Sequence, residues 1–183
     1  MKSIITSIRL VIATMLLCVA GYTALILGFA QIVTPNTAEG SLVKDKNGKI
    51  IGSRLIAQSF TNARYFWPRP SAVDYKADAA GGSNKSPTSS DLTDRAKRLI
   101  GQYGASAERP LPAELAAASG SGLDPNISEH AALYQAGRVA NARNLSRSQV
   151  EVLVKQHAFS PGGAFTPDRL VNVLELNLAL DSL

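Results

Sequence analysis

LVIATMLLCVAGYTALILGFAQIV, residues 10–33, contains no charged side chain, and only Thr14, Thr23 and Gln31 are clearly polar. A helix rises about 1.5 Å per residue and a hydrocarbon core is about 30 Å thick, so such a run reads as a membrane-spanning helix with room for some tilt. A cleavable signal peptide is the competing reading, because Lys2 and Arg9 form a basic start and Gly28-Phe29-Ala30 has the small-x-small form of a cleavage site. The apolar run from Leu10 to Phe29 exceeds an h-region of about 7–15 residues, which favours retention as an anchor.

Ala20, Ala24 and Gly28 are spaced by four within the span. That is the small-xxx-small pattern through which two membrane helices approach closely, although small residues are also common in membrane spans generally. The basic residues ahead of the span place residues 1–9 on the cytoplasmic side by the positive-inside rule, and residues 34–183 on the other. The expected organisation is therefore a cytoplasmic tail (1–9), a transmembrane helix (10–33) and an extracytoplasmic domain (34–183), with the inner membrane as the location.

Removing Lys2 and Arg9 from the chain's 19 Lys+Arg leaves 17 against all 14 Asp+Glu beyond the span, a mixed surface that does not point to nucleic acid. About 150 residues suit one compact domain with its own core. The only cysteine, Cys18, lies within the span, so no disulfide can form in that domain.

Along this portion the chain alternates strand and helix signals, giving an α+β fold class: one N-terminal transmembrane helix followed by a single mixed α/β domain. Ser41–Asp45 and Ile50–Phe60 flank Asn47-Gly48, a strong hairpin signal because both residues tolerate positive φ. Tyr65-Phe66-Trp67-Pro68-Arg69-Pro70 concentrates aromatics where proline forbids helix. Such a segment must be pinned, either by packing on its own domain or by a partner. Tyr65, Phe66, Trp67 and Arg69 are the candidate contact residues, with Trp67 and Arg69 as anchors.

Ser90 reads as the cap of a helix over 91–103 that stops at Gly104, and residues 110–119 fit a short strand or a helical turn equally well. Ser128 caps a helix to about Ala142; Ser146 with Gln149 forms a capping box for the next. Leu170–Leu183 reads as a short strand giving way to a terminal helix.

No chemistry-bearing cluster emerges. Gly81-Gly82-Ser83-Asn84-Lys85-Ser86 lacks the spacing and preceding strand of a phosphate loop. Asp124, Asn126 and Ser128 begin like a calcium loop, but Glu129 stands where glycine is needed and Gln135 where glutamate is needed. His130 and His157 have no Cys or Glu at ligand spacing, so no metal site and no catalytic residue is expected.

Several blocks taken in order resemble the KdpC family, the accessory component of Kdp-type potassium-transporting P-type ATPases of bacterial and archaeal membranes. They are Gly52–Phe60, Tyr65–Ala72, Gly81–Asn84, Ala118–Ser128, Gln135 with Arg138-Val139-Ala140 and Ala142-Arg143, and Val171–Asp181. Residues 95–112 and the loop near Phe159 follow no fixed pattern of that family. The resemblance implies a non-catalytic accessory protein in a complex with a channel-like potassium-binding subunit, an ATP-hydrolysing subunit and a small fourth subunit. It further implies help in assembly and a chaperone-like increase in the hydrolytic subunit's ATP affinity, with ATP reaching the chain only through the complex and no cofactor held firmly. The rival reading is a secreted or anchored non-catalytic binding domain.

Overall fold

The computed structural model describes residues 2–166 and 168–183 and divides the chain into two compact units, 1–51 and 52–183. The first is dominated by one helix, Lys2–Val33, none of whose apolar surface is buried within the chain. It comprises α1 (Lys2–Met15), a widened π-helical turn at Leu16–Gly21, and α2 (Tyr22–Val33). The helix thus begins eight residues before Leu10, and residues 2–9 are helical. Hydroxyls explain why they tolerate it: Thr6 donates to Lys2 O at 3.0 Å and Ser7 to Ser3 O at 3.0 Å, turning polar side chains back onto the helix's own carbonyls. A short helix α3 (Pro35–Ala38), with proline in its first turn where a missing N–H costs nothing, follows Thr34.

The hairpin forms from β1 (Leu42–Lys44) and β2 (Ile50–Ser53). Its turn is closed by Asp45, whose carboxylate accepts from Asn47 N at 2.8 Å and Lys49 N at 2.9 Å, and only Gly48 takes positive φ. The second strand stops at Ser53 instead of reaching Phe60. Past that point the main chain leaves the ladder, and Ala57 N donates to Leu123 O at 2.9 Å.

In the second unit, α4 (Ser90–Tyr103) starts one residue early, from Ser89, and ends on Gly104 in the left-handed conformation. Residues 110–119 contain a single helical turn, α5 (Ala113–Ala116). The domain's centre is a repeated strand–cap–helix arrangement. β3 (Asn126–Ser128) runs into α6 (Glu129–Arg143), and β5 (Leu170–Asn172) runs into α8 (Val173–Asp181). In each, the last strand residue caps the helix: Ser128 Oγ accepts from Ala131 N at 3.0 Å and Asn172 Oδ1 from Glu175 N at 3.1 Å. The strands pair antiparallel with Ile127 opposite Val171, and β4 (Ala158–Phe159) adds to the other side of β5. Between them, α7 (Arg147–His157) carries the expected Ser146–Gln149 capping box.

Ala131, Ala132, Ala136 and Ala140 make α6 thin enough for close packing against Val150, Leu153 and Val154 of α7, with Leu176 and Leu180 of α8 completing the core. Leu174, Leu176, Leu178 and Leu180, whose spacing alternates like a strand, all fall in α8, where Leu174, Leu176 and Leu180 are buried and Leu178 is half-buried. At nine residues the helix is short enough for its neighbours to enclose most of its circumference.

Candidate functional site

Residues 62–70 have no regular secondary structure, yet Phe66 is fully buried and Trp67 is 8% exposed. Irregular backbone at that depth needs hydrogen-bond partners, and two side-chain amides provide them. Gln135 accepts from Trp67 N at 2.9 Å and donates to Trp67 O at 3.0 Å. Asn177 does the same for Phe66, at 2.8 and 3.0 Å. Each amide thus replaces one rung of a β-ladder.

Two arginines on α6 hold the segment's other carbonyls. Arg138 donates to Ala63 O at 2.7 Å, Tyr65 O at 3.0 Å and Gln135 Oε1 at 2.7 Å, while its guanidinium lies 3.7 Å from the Trp67 ring centroid. Burial pulls its pKa down to about 10. Arg143 reaches Arg64 O at 2.8 Å, Leu180 O at 3.0 Å and Asp181 at 2.6 Å. Tyr65 donates its hydroxyl to the same Asp181 at 2.9 Å, and that bond raises its pKa. Gln135, Arg138 and Arg143 from α6 and Asn177 and Asp181 from α8 therefore form one clamp around the aromatic segment. Of the four candidate contact residues, Tyr65 and Arg69 remain half-buried, and Phe66 and Trp67 are spent on the core.

Beyond Pro68 the chain enters a second junction. Arg69 reaches Asp124 at 3.5 Å and Ala118 O at 3.4 Å, both at the long limit of hydrogen bonding, and its buried Nε has no partner among the described residues. Ser119 N donates to Pro70 O at 3.1 Å and Gly81 N to Ser121 O at 2.7 Å, tying the 69–84 loop to the 118–124 loop. Gly122, at φ +70, leaves no room for a Cβ: one would sit 2.7 Å from Val73 Cγ2 and 2.8 Å from Gly81 O. The glycine and serine runs are thus spent on loop-to-loop contact. Asp124 Oδ1 receives Asn126 N at 3.0 Å, and Glu114 accepts from both the backbone N–H and the hydroxyl of Ser128. No group of three His, Cys, Asp or Glu suited to a metal ion occurs among the described residues.

In the apolar N-terminal helix, Ala24 and Gly28 lie four apart in regular α2, whereas Ala20 falls inside the π-helical turn. A Cβ at Gly28 would meet nothing within 4 Å in this chain. The clamp residues all fall in the blocks that resemble the KdpC family, but no catalytic or ligand motif includes them. A further local signal is polarity out of place: Gln135 among Ala132, Ala136 and Val139, and Asn177 among Leu174, Leu176 and Leu180.

Among the described residues one helix is long and apolar enough to cross a membrane, and it precedes a small mixed helix-and-sheet domain, which defines the class of chain. The family model described as KdpC, K+-transporting ATPase, c chain, matches residues 4–182, and the chain belongs to that family. It is 64% identical over 181 residues, covering 99% of the chain and 97% of the relative, to a protein of Parvibaculum lavamentivorans named potassium-transporting ATPase KdpC subunit. Proteins of the same name from Gloeobacter violaceus (40% over 183 residues, covering 100% of the chain and 97% of the relative) and Methanosphaerula palustris (47% over 161 residues, covering 87% and 86%) are similar along most of their length.

Proposed function

We propose that the chain is an accessory, non-catalytic member of a Kdp-type potassium-transporting ATPase, anchored by its span with residues 34–183 outside the cytoplasm. It stabilises assembly with a potassium-binding subunit, an ATP-hydrolysing subunit and a small fourth subunit. Full-length membership of the KdpC family is the observation that carries this reading. The clamp adds physical support. Gln135, Arg138, Arg143, Asn177 and Asp181, which a catalytic centre would need free, are committed to internal hydrogen bonds.

An external head cannot touch a cytoplasmic nucleotide site, so its effect on ATP affinity passes through the membrane subunits by favouring one conformation of the complex. The test is to purify the transporter with and without this chain and measure the apparent KM for ATP under potassium stimulation. A lower KM with the chain present supports the reading; co-purification with no change in KM removes the chaperone role. Orientation is tested by Ser86→Cys in a Cys18→Ser background. An impermeant thiol reagent should label it in intact cells, and labelling only after lysis reverses the topology.

A further inference from the structure

A groove of about 340 Å³ opens between the segment Ser59–Thr61 and the face of α4 that carries Arg98 and Gln102. Neither the amides nor the carbonyls of Ser59, Phe60 and Thr61 have a hydrogen-bond partner among the described residues, and the three belong to no helix or strand. Arg98 is exposed and makes no ion pair or hydrogen bond among the described residues, while neighbouring Arg95 commits its Nε to Ala116 O at 3.3 Å. Half-buried Pro70, Leu99 and Tyr103 contribute apolar surface to the groove, with Trp67 and Leu115 beneath it.

We propose that this groove docks an extended, carboxylate-bearing segment of a partner subunit, which lays its main chain along Ser59–Thr61 and its acidic side chain on Arg98. A run of three residues with both donors and acceptors unpaired matches another polypeptide backbone better than it matches a compact small molecule. The apolar surface between that run and the cation takes a neighbouring side chain of the same segment. Charge selects the partner: Arg95 and Arg98 outnumber the groove's one carboxylate, Asp74, and the unpaired guanidinium of Arg98 favours a carboxylate over a neutral or basic residue. The wall opposite is held in place, since Ser71 Oγ accepts from Val73 N at 3.1 Å and Tyr75 N at 3.0 Å, and the Tyr75 hydroxyl donates to Arg69 O at 2.8 Å. This inference rests on the reading of the chain as one member of a complex.

The experiment places a photoreactive benzoyl-phenylalanine at Thr61, and as a control at exposed Val152 on α7, in the full chain purified with the other transporter subunits. Irradiation should join position 61, and not position 152, to a partner stretch containing Asp or Glu. Arg98→Glu should lower that yield roughly tenfold while Arg98→Lys retains most of it, and changing the mapped acidic residue to Lys should restore the Arg98→Glu variant. Adducts only with lipid, with a second copy of the chain or within the chain overturn the proposal, as does an unchanged yield in Arg98→Glu. If the complex is recovered in full and position 61 gives no partner adduct, the groove assignment alone fails. If the unmodified chain recovers no partner subunits, the assembly reading fails and takes the groove with it.

Discussion

Gln135 and Trp67 meet through two hydrogen bonds in opposite directions, 2.9 Å from the Trp67 amide and 3.0 Å to its carbonyl, so one side chain completes the backbone of a residue 68 positions away. Because both backbone groups are buried, the value of the contact lies less in its net gain than in the cost of losing it.

Gln135→Met keeps the volume and removes both partners from Trp67. Two buried backbone groups left unpaired cost roughly 1–3 kcal/mol each, so urea unfolding of the detergent-solubilised chain should show a loss of about 2–5 kcal/mol. Asn177→Leu should behave alike at Phe66. A loss under about 0.5 kcal/mol, the usual range for surface substitutions, would mean that water replaces the amide and that the clamp is not structural.

Arg138 combines three hydrogen bonds with its position over Trp67. A double-mutant cycle of Arg138→Met and Trp67→Leu should give a coupling of about 0.5–3 kcal/mol, as residues in direct contact do. Additive losses would show the two to be independent despite the 3.7 Å separation.

Gly122 and Gly137 make a contrasting pair. At Gly122, alanine must take a left-handed conformation and push Val73 aside, so Gly122→Ala should cost about 1–3 kcal/mol and loosen the junction of the two loops. A Cβ at Gly137, within α6, meets nothing within 4 Å, and Gly137→Ala should stabilise by up to about 1 kcal/mol through helix propensity. Thermal unfolding of both variants checks the sign of each.

Burial raises the pKa of Tyr75 from 10.0 to about 12. The folded state therefore holds this proton more tightly than the unfolded state, and its contribution is complete below pH 10 and lost as pH rises toward 12. Between about pH 9 and about pH 11.5 the unfolding midpoint of Tyr75→Phe should fall less than that of the unaltered chain. Parallel declines would show that Tyr75 does not contribute to the alkaline limit.

In the apolar helix, Gly28→Leu should reduce recovery of the complex more than Leu25→Ala, because a small residue at 28 lets a neighbouring helix approach closely and leucine would hold it off. Ala24→Leu should resemble Gly28→Leu, and Ala20→Leu should be milder, since the π-helical turn takes residue 20 out of the regular four-residue spacing. Equal recovery for every variant would show that this face is turned to lipid.

Hydropathy alone determined the apolar helix, because spanning a hydrocarbon core requires length and lack of charge, and both are local properties. Local chemistry likewise determined the Ser128 cap, the Ser146–Gln149 box and the Gly104 stop, each an interaction within a few residues of itself. The strand beyond Ser53 misled because its residue types tolerate extension, while the competing partner, Leu123 O, lies far along the chain. What only the tertiary structure decided is the clamp. Gln135, Asn177 and Arg143 meet their partners across 68, 111 and 79 residues, and nothing near a polar side chain on an apolar helix face says which distant backbone it will complete. Burying the aromatic segment without a ladder creates that demand, and only the folded chain brings together the groups that meet it.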